Sequence, residues 1–259
     1  CIYNHSIFRF LFSQNVSSTT QNQRMKKIAL LTLSIFLLSE SFAINDKIRL
    51  GFVASPGMGW FAPKGNDLKK GTVQFAMNYG VVVDYYFKDQ NYGIQSGLFG
   101  GIDKGQLSDR LAFTTNTGSV VKETYNNQYL AIPLYLKLKT NSIKGFHIFG
   151  QVGFTNVFTI SSRATFDHDL KDGAGADVPV VKENIMKKGN AVNAVINNFK
   201  SNVYDFRISA GAGFEYDVTE KIAVTFGVFY HNGFVNTLAD QDAKKDPVLV
   251  RNLLFSCGV

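Results

Sequence analysis

Residues 129–139 read YLAIPLYLKLK, and they alternate without a break. Leu130, Ile132, Leu134, Leu136 and Leu138 share one side of an extended chain, while Tyr129, Ala131, Pro133, Tyr135, Lys137 and Lys139 share the other. A period of two is the signature of a β-strand, because successive side chains point to opposite faces of the pleat. The length of the run carries further information. Strands of soluble proteins usually hold about five or six residues, whereas a tilted strand that crosses a bilayer needs about 9 to 11. One face is suited to lipid and the other to a polar interior.

Residues 204–217 repeat the pattern with more charge. Tyr204, Phe206, Ile208, Ala210, Ala212, Phe214 and Tyr216 alternate with Asp205, Arg207, Ser209, Gly211, Gly213, Glu215 and Asp217. A one-sided antiparallel sheet in water also alternates. So many charges opposite an apolar face fit better in a filled barrel lumen, where they can pair. The same periodicity predicts strands near 47–60, 72–87, 91–103, 123–139, 145–160, 203–218, 221–233 and 248–259. The predicted architecture is all-β, an eight-stranded antiparallel up-and-down transmembrane β-barrel.

The connections between these strands alternate in length. Those at 88–90, 140–144 and 219–220 are short, and those at 61–71, 104–122, 161–202 and 234–247 are long. Short turns at one rim and long loops at the other are the pattern of outer-membrane barrels, with the short turns in the periplasm. Trp60, Phe61, Tyr85, Tyr86, Phe87, Tyr92, Tyr129, Tyr204, Tyr216 and Tyr230 fall near strand ends, as interfacial girdles would require. The 161–202 loop is too long for an idle connection, and its second half, 181–200, has the apolar spacing of a short amphipathic helix.

Upstream of the strands, Met25, Lys26 and Lys27 precede an apolar run over 28–38, which is followed by Ser41-Phe42-Ala43. A basic start, a short apolar centre and small residues before a cleavage point describe a secretory signal peptide at 25–43. Its eleven residues would rise only about 16 Å as a helix, too little to cross about 30 Å of hydrocarbon. Residues 1–24 show no pattern that continues downstream and are expected to be an upstream extension, with the barrel domain at 44–259. Removing 1–43 takes away Arg9, Arg24, Lys26, Lys27 and Glu40, which lowers the formal charge from +7 to +4. No basic cluster interleaved with aromatics then remains to suggest nucleic acid. Cys257 is the one cysteine left in that domain, which excludes a disulfide framework and Cys-rich metal sites there.

Three stretches resemble the PorT-like outer-membrane β-barrel family of Bacteroidetes-type bacteria. YLAIPLYLK at 129–137 is similar to that family's Tyr-Leu-x-Ile-Pro-x-x-x-Lys strand. Asp205-Phe206 through Gly211-Ala212-Gly213-Phe214-Glu215-Tyr216 is similar to its Asp-Phe and Gly-x-Gly-x-Glu-Tyr strand. Tyr230-His231-Asn232-Gly233-Phe234-Val235-Asn236 follows its Tyr-x-x-Gly-Leu-x-Asn segment, with Phe234 in place of Leu. The resemblance implies a barrel in the outer membrane, and its namesake is associated with type IX protein secretion. Barrels of this kind usually close on an aromatic or apolar residue, whereas this chain stops at Cys257-Gly258-Val259, which leaves open a last strand cut short.

Arg49, Asp84, Lys137, Lys139, Asp205, Arg207, Glu215 and Asp217 fall on inward positions and are expected to form a lumen charge network, since unpaired charges behind a lipid-facing wall are costly. The sharper reading, a proton or ion path along this column, is disfavoured by the narrow lumen of eight strands. Pro133 removes a ladder donor in mid-strand, for which a bulge or kink is the expected accommodation. His231 at the outward end of its strand, and His168 within Asp167-His168-Asp169 near Asp172, supply residue types that rim chemistry would need. Their positions match no rim enzyme, and the acidic loop lacks calcium-loop spacing. The expectation is a barrel with no enzymatic activity, cofactor or metal, whose partners are outer-membrane lipid, the barrel insertion machinery and an envelope, extracellular or secretion-system protein met by its outward loops. A narrow porin-like pore is the further alternative.

Overall fold

The computed structural model describes residues 47–65, 68–87, 91–109, 121–166, 170–171, 177–178, 201–219, 222–238 and 247–259. The signal-peptide segment, the helix expected at 181–200, and His168 with Asp167, Asp169 and Asp172 lie outside them.

Eight long strands carry the fold: β1 (Ile48–Pro63), β2 (Gln74–Tyr86), β3 (Tyr92–Asp109), β4 (Val121–Lys139), β5 (Phe146–Phe166), β6 (Tyr204–Asp217), β7 (Ala223–Gly233) and β8 (Val248–Gly258). Each pairs antiparallel with its neighbours in sequence, and β1 pairs with β8 to close the barrel. Closure removes the sheet edges across the membrane-spanning part, as lipid requires. The three-residue segment Leu68–Lys70 adds a short pairing to the upper end of β3. Leu170–Lys171 and Asp177–Val178 pair with each other.

The register fixes the barrel's shape. From Leu50, successive cross-strand partners are Val83, Ser96, Leu134, Phe154, Ile208, Asn232 and Arg251, and the circuit returns to β1 at Trp60, ten residues above its start. At about 3.3 Å per residue and about 4.8 Å between strands, this stagger tilts the strands by about 40°.

The two faces are inverted relative to a soluble protein. Lys137 is 3% exposed, while its neighbour Leu136 is 44% exposed. The outward face of β4 is apolar from Leu138 to Leu130 and polar at Gln128, Asn126, Thr124 and Lys122. The apolar part climbs about 26 Å along the strand and about 20 Å along the barrel axis. With flanking aromatics it forms the outward band of a membrane barrel. Tyr85, Phe87, Tyr92, Phe146 and Tyr216 ring the short-turn edge, with Phe146 and Tyr216 in ring contact at 4.5 Å. Trp60, Phe158 and Tyr204 lie toward the long-loop edge. Phe61, Tyr86 and Tyr129 do not belong to these girdles: they are buried in the lumen. Tyr230 faces outward opposite Leu253, and its ring lies 6.3 Å from that of Trp60.

Several strands run further than their periodicity indicates. β3 continues from 103 to Asp109 and β5 from 160 to Phe166, so the long loop after β5 is shorter than 161–202. Above the belt the outward positions become polar, as at Lys104, Gln106 and Ser108, and the amphipathic signal fades while the ladder continues. On β5 a bulge also intervenes. Tyr129 pairs with Thr159 but Gln128 with Ser161, so Ile160 is the extra residue and the inward parity switches to Ser162 and Ala164.

The bulge does not fall at Pro133. That residue pairs in register with Thr155 on β5. On the β3 side the ladder breaks after Ser96–Leu134 and resumes at Phe99–Ala131 without a shift. The Ser96 hydroxyl donates to the Pro133 carbonyl at 2.8 Å, so one acceptor in the gap stays satisfied.

Candidate functional site

The inward residues sort into three levels along the axis. The lowest lies near the short turns, where each of the first six strands, β1 to β6, delivers polar side chains. Glu215 is its hub. Its Oε1 accepts from Arg49 Nη1 at 2.6 Å and Lys139 Nζ at 3.0 Å, and its Oε2 accepts from Lys137 Nζ at 3.3 Å. Lys137 also reaches Asp84 Oδ2 at 2.5 Å, and Gln95 Nε2 donates to Asp84 Oδ1 at 2.6 Å. Asp217 is 3.8 Å from Arg49 and 2.8 Å from His147 Nε2. Arg49, Lys137 and Lys139 thus face Asp84, Glu215 and Asp217, three charges of each sign. Aromatic faces line the same level, with Lys139 Nζ 5.0 Å from the Tyr86 ring and Lys137 Nζ 5.2 Å from the Phe149 ring.

The next level is separate. Arg207 lies eight residues from Glu215 on β6, about 20 Å higher along the axis. Its Nε donates to Asp205 Oδ2 at 2.7 Å, and its Nη1 is 2.7 Å from Asp103 Oδ2. Asn252 Nδ2 reaches across from β8 to Asp103 Oδ1 at 2.7 Å. The guanidinium sits 5.0 Å from the Tyr129 ring, whose hydroxyl donates to Asn78 Oδ1. Two carboxylates therefore share one guanidinium, and Asp205 Oδ1 and Asn252 Oδ1 are buried without a hydrogen-bond partner. Between the two levels Tyr135, Thr155, Ser209 and His231 form a chain of side-chain hydrogen bonds, closed by Ser209 Oγ and His231 Nδ1 at 2.6 Å.

The third level is apolar. Phe61, Leu107, Tyr125, Ala164, Leu238, Val248 and Val250 form one buried cluster at the long-loop end of the lumen.

Of the eight residues expected in the lumen, Arg49, Asp84, Lys137, Lys139, Glu215 and Asp217 come together, while Asp205 and Arg207 form the second group. Asp103, His147 and Asn252 were not anticipated. Asp103 stands at the last residue of its expected strand, and His147 alternates with Phe149 and Gln151, so inward parity could have identified both. Nothing local marks Asn252 as a partner of Asp103, 149 residues away. His231 is not at an accessible rim; it is buried and bonded to Ser209. A serine nucleophile activated by histidine needs a third group to orient the ring. Among the described residues no carboxylate hydrogen-bonds to His231, and none group in threes with histidine or cysteine as a metal site.

A family model described as outer membrane protein beta-barrel domain matches residues 8–241, and the chain belongs to that family. The cell outer membrane is accordingly its location. Among solved structures the chain is similar to Neisserial surface protein A, with 9% identity over 81% of this chain and 96% of that one and a TM-score of 0.38. It is similar to the attachment invasion locus protein Ail of Yersinia pestis at 12% identity, covering 83% and 98%, with a TM-score of 0.33. It is also similar to OprG of Pseudomonas aeruginosa at 14% identity, covering 82% and 97%, with a TM-score of 0.37. No curated protein matches it in sequence.

Proposed function

We propose that this member of the outer-membrane β-barrel family is a non-enzymatic scaffold that holds its outward loops as an interaction surface for an envelope or extracellular protein. The observation that carries this reading is how the lumen is filled. The Glu215 level, the Arg207 level and the apolar cluster around Phe61 and Tyr125 occupy it in succession, so its polar residues serve one another and not a passing solute. What the barrel offers to the exterior is then the polar upper part of β3, β4 and β5 and the connections they support.

The test compares the intact protein in vesicles with a variant in which 172–200 is replaced by a short Gly-Ser linker. Retention of an envelope or extracellular protein by the first and its loss from the second is expected, and equal retention by both would sink the reading. Vesicles bearing the intact protein should not swell in isotonic sugar; swelling would favour the narrow pore.

The YLAIPLYLK strand favours a second reading, an accessory role in type IX secretion, through its likeness to PorT-like barrels. Deleting the gene and measuring secreted cargo separates the two, because unaltered export removes the secretion role.

A further inference from the structure

The lumen holds charges of both signs, Arg49, Lys137, Lys139 and Arg207 being paired there with acids. The acidic side chains described, Asp84, Asp103, Asp205, Glu215 and Asp217, all face the lumen. At the long-loop edge the outward face carries cations instead, among them Arg251 on β8, flanked by buried Val250 and Asn252. Below Arg251 that face is Leu253, Phe255, Cys257 and Val259, the lipid side of the strand. An arginine at the margin of such a face costs little where its head reaches the interface, and there it faces the headgroups.

Its surroundings are arranged for that. Arg251 lies directly opposite Trp60 on β1. Its Nε donates to Asn232 Oδ1 at 2.9 Å, which fixes the guanidinium plane and leaves the two terminal nitrogens directed elsewhere. On the other side, Lys70 Nζ stands 5.0 Å over the Trp60 ring. Among the described residues neither cation has a carboxylate within ion-pair distance. Two cations, an oriented donor fork and an interfacial indole thus converge at the height where outer-leaflet headgroups lie.

We propose that Trp60, Lys70 and Arg251 form a site for the phosphate group of an anionic outer-leaflet lipid of the lipid A type. Its acyl chains lie against the apolar face of β8 and β1, while the phosphate takes the Arg251 fork and the Lys70 ammonium. The site holds the barrel at a set depth and recruits a shell of that lipid.

Trp60 is the single tryptophan of the chain, so its emission reports on the site directly. The protein is reconstituted in phosphatidylcholine vesicles containing increasing fractions of lipid A. A saturable change in emission is expected with phosphorylated lipid A and not with the same lipid stripped of its phosphates. Arg251→Gln and Lys70→Gln should each raise the half-saturating fraction about fivefold, the loss of about 1 kcal/mol per interfacial cation. Both variants should keep heat-modifiable gel migration. Lys70 lies outside the eight barrel strands, so Lys70→Gln decides the matter should Arg251→Gln not insert. The proposal is overturned if the dephosphorylated lipid gives the same change, if the variants titrate like the parent, or if inorganic phosphate in the buffer produces the saturation.

Discussion

Arg49 Nη1 stands 2.6 Å from Glu215 Oε1, joining the first and sixth strands across the lumen. The two residues are 166 apart in sequence, and only closure of the sheet brings them together. The same carboxylate serves Lys137 and Lys139, so the lower level depends on one acid more than on any of its three cations.

Glu215→Gln should therefore be the most damaging single change in that level. It leaves three cations facing Asp84 and Asp217 in a buried setting, and a loss of about 3 to 5 kcal/mol is expected. A urea titration followed by the gel shift between folded and unfolded forms would measure it. A midpoint equal to that of the parent would mean that the pairs contribute nothing.

The Arg207 level should respond differently to single and combined changes. Arg207→Met leaves Asp103 and Asp205 buried without their cation and should cost about 3 to 5 kcal/mol. The triple variant Asp103→Asn, Asp205→Asn, Arg207→Met removes all three charges together and should recover most of that loss, because the desolvation penalty goes with them. The same urea titration reads both; a triple variant as weak as the single one contradicts this account.

Pro133→Ala should leave stability nearly unchanged. It restores a donor in the gap between β3 and β4, worth about 0.5 to 1.5 kcal/mol, and it frees the unfolded chain by a similar amount, about 0.4 to 1 kcal/mol. The informative readout is local. Hydrogen exchange measured by NMR should show a new protected amide at position 133, and rapid exchange there would mean that the gap has another cause.

Gly101→Val tests how tightly the lumen is filled. A Cβ at Gly101 would meet the Tyr129 ring and Asn78 Oδ1, so the larger side chain must displace the ring that backs Arg207. Overpacking of this kind costs about 1 to 3 kcal/mol. The same change at Gly150, where an added Cβ meets only the Gly211 carbonyl oxygen at 3.9 Å, should cost less than about 0.5 kcal/mol. Equal effects at the two glycines would refute a packed lumen.

The amino-acid order by itself determined the strands, their faces and the rhythm of short and long connections, because the two-residue period of a β-strand is a local property. Residues 129–139 and 204–217 read the same way alone as in the barrel, down to Lys137 and Glu215 on the inward side. Local periodicity could not say which inward residues meet. That depends on eight strands closing with a ten-residue stagger, which sets Arg49 beside Glu215 and Asn252 beside Asp103 while holding Arg207 apart from both lysines. Phe61, Tyr86 and Tyr129 share the parity of Arg49, Asp84 and Lys137 and fill the lumen with them, so nearness to a strand end is a weaker guide to a girdle than parity is. Parity assigns a side chain to a face, whereas closure and stagger assign its height and its partners.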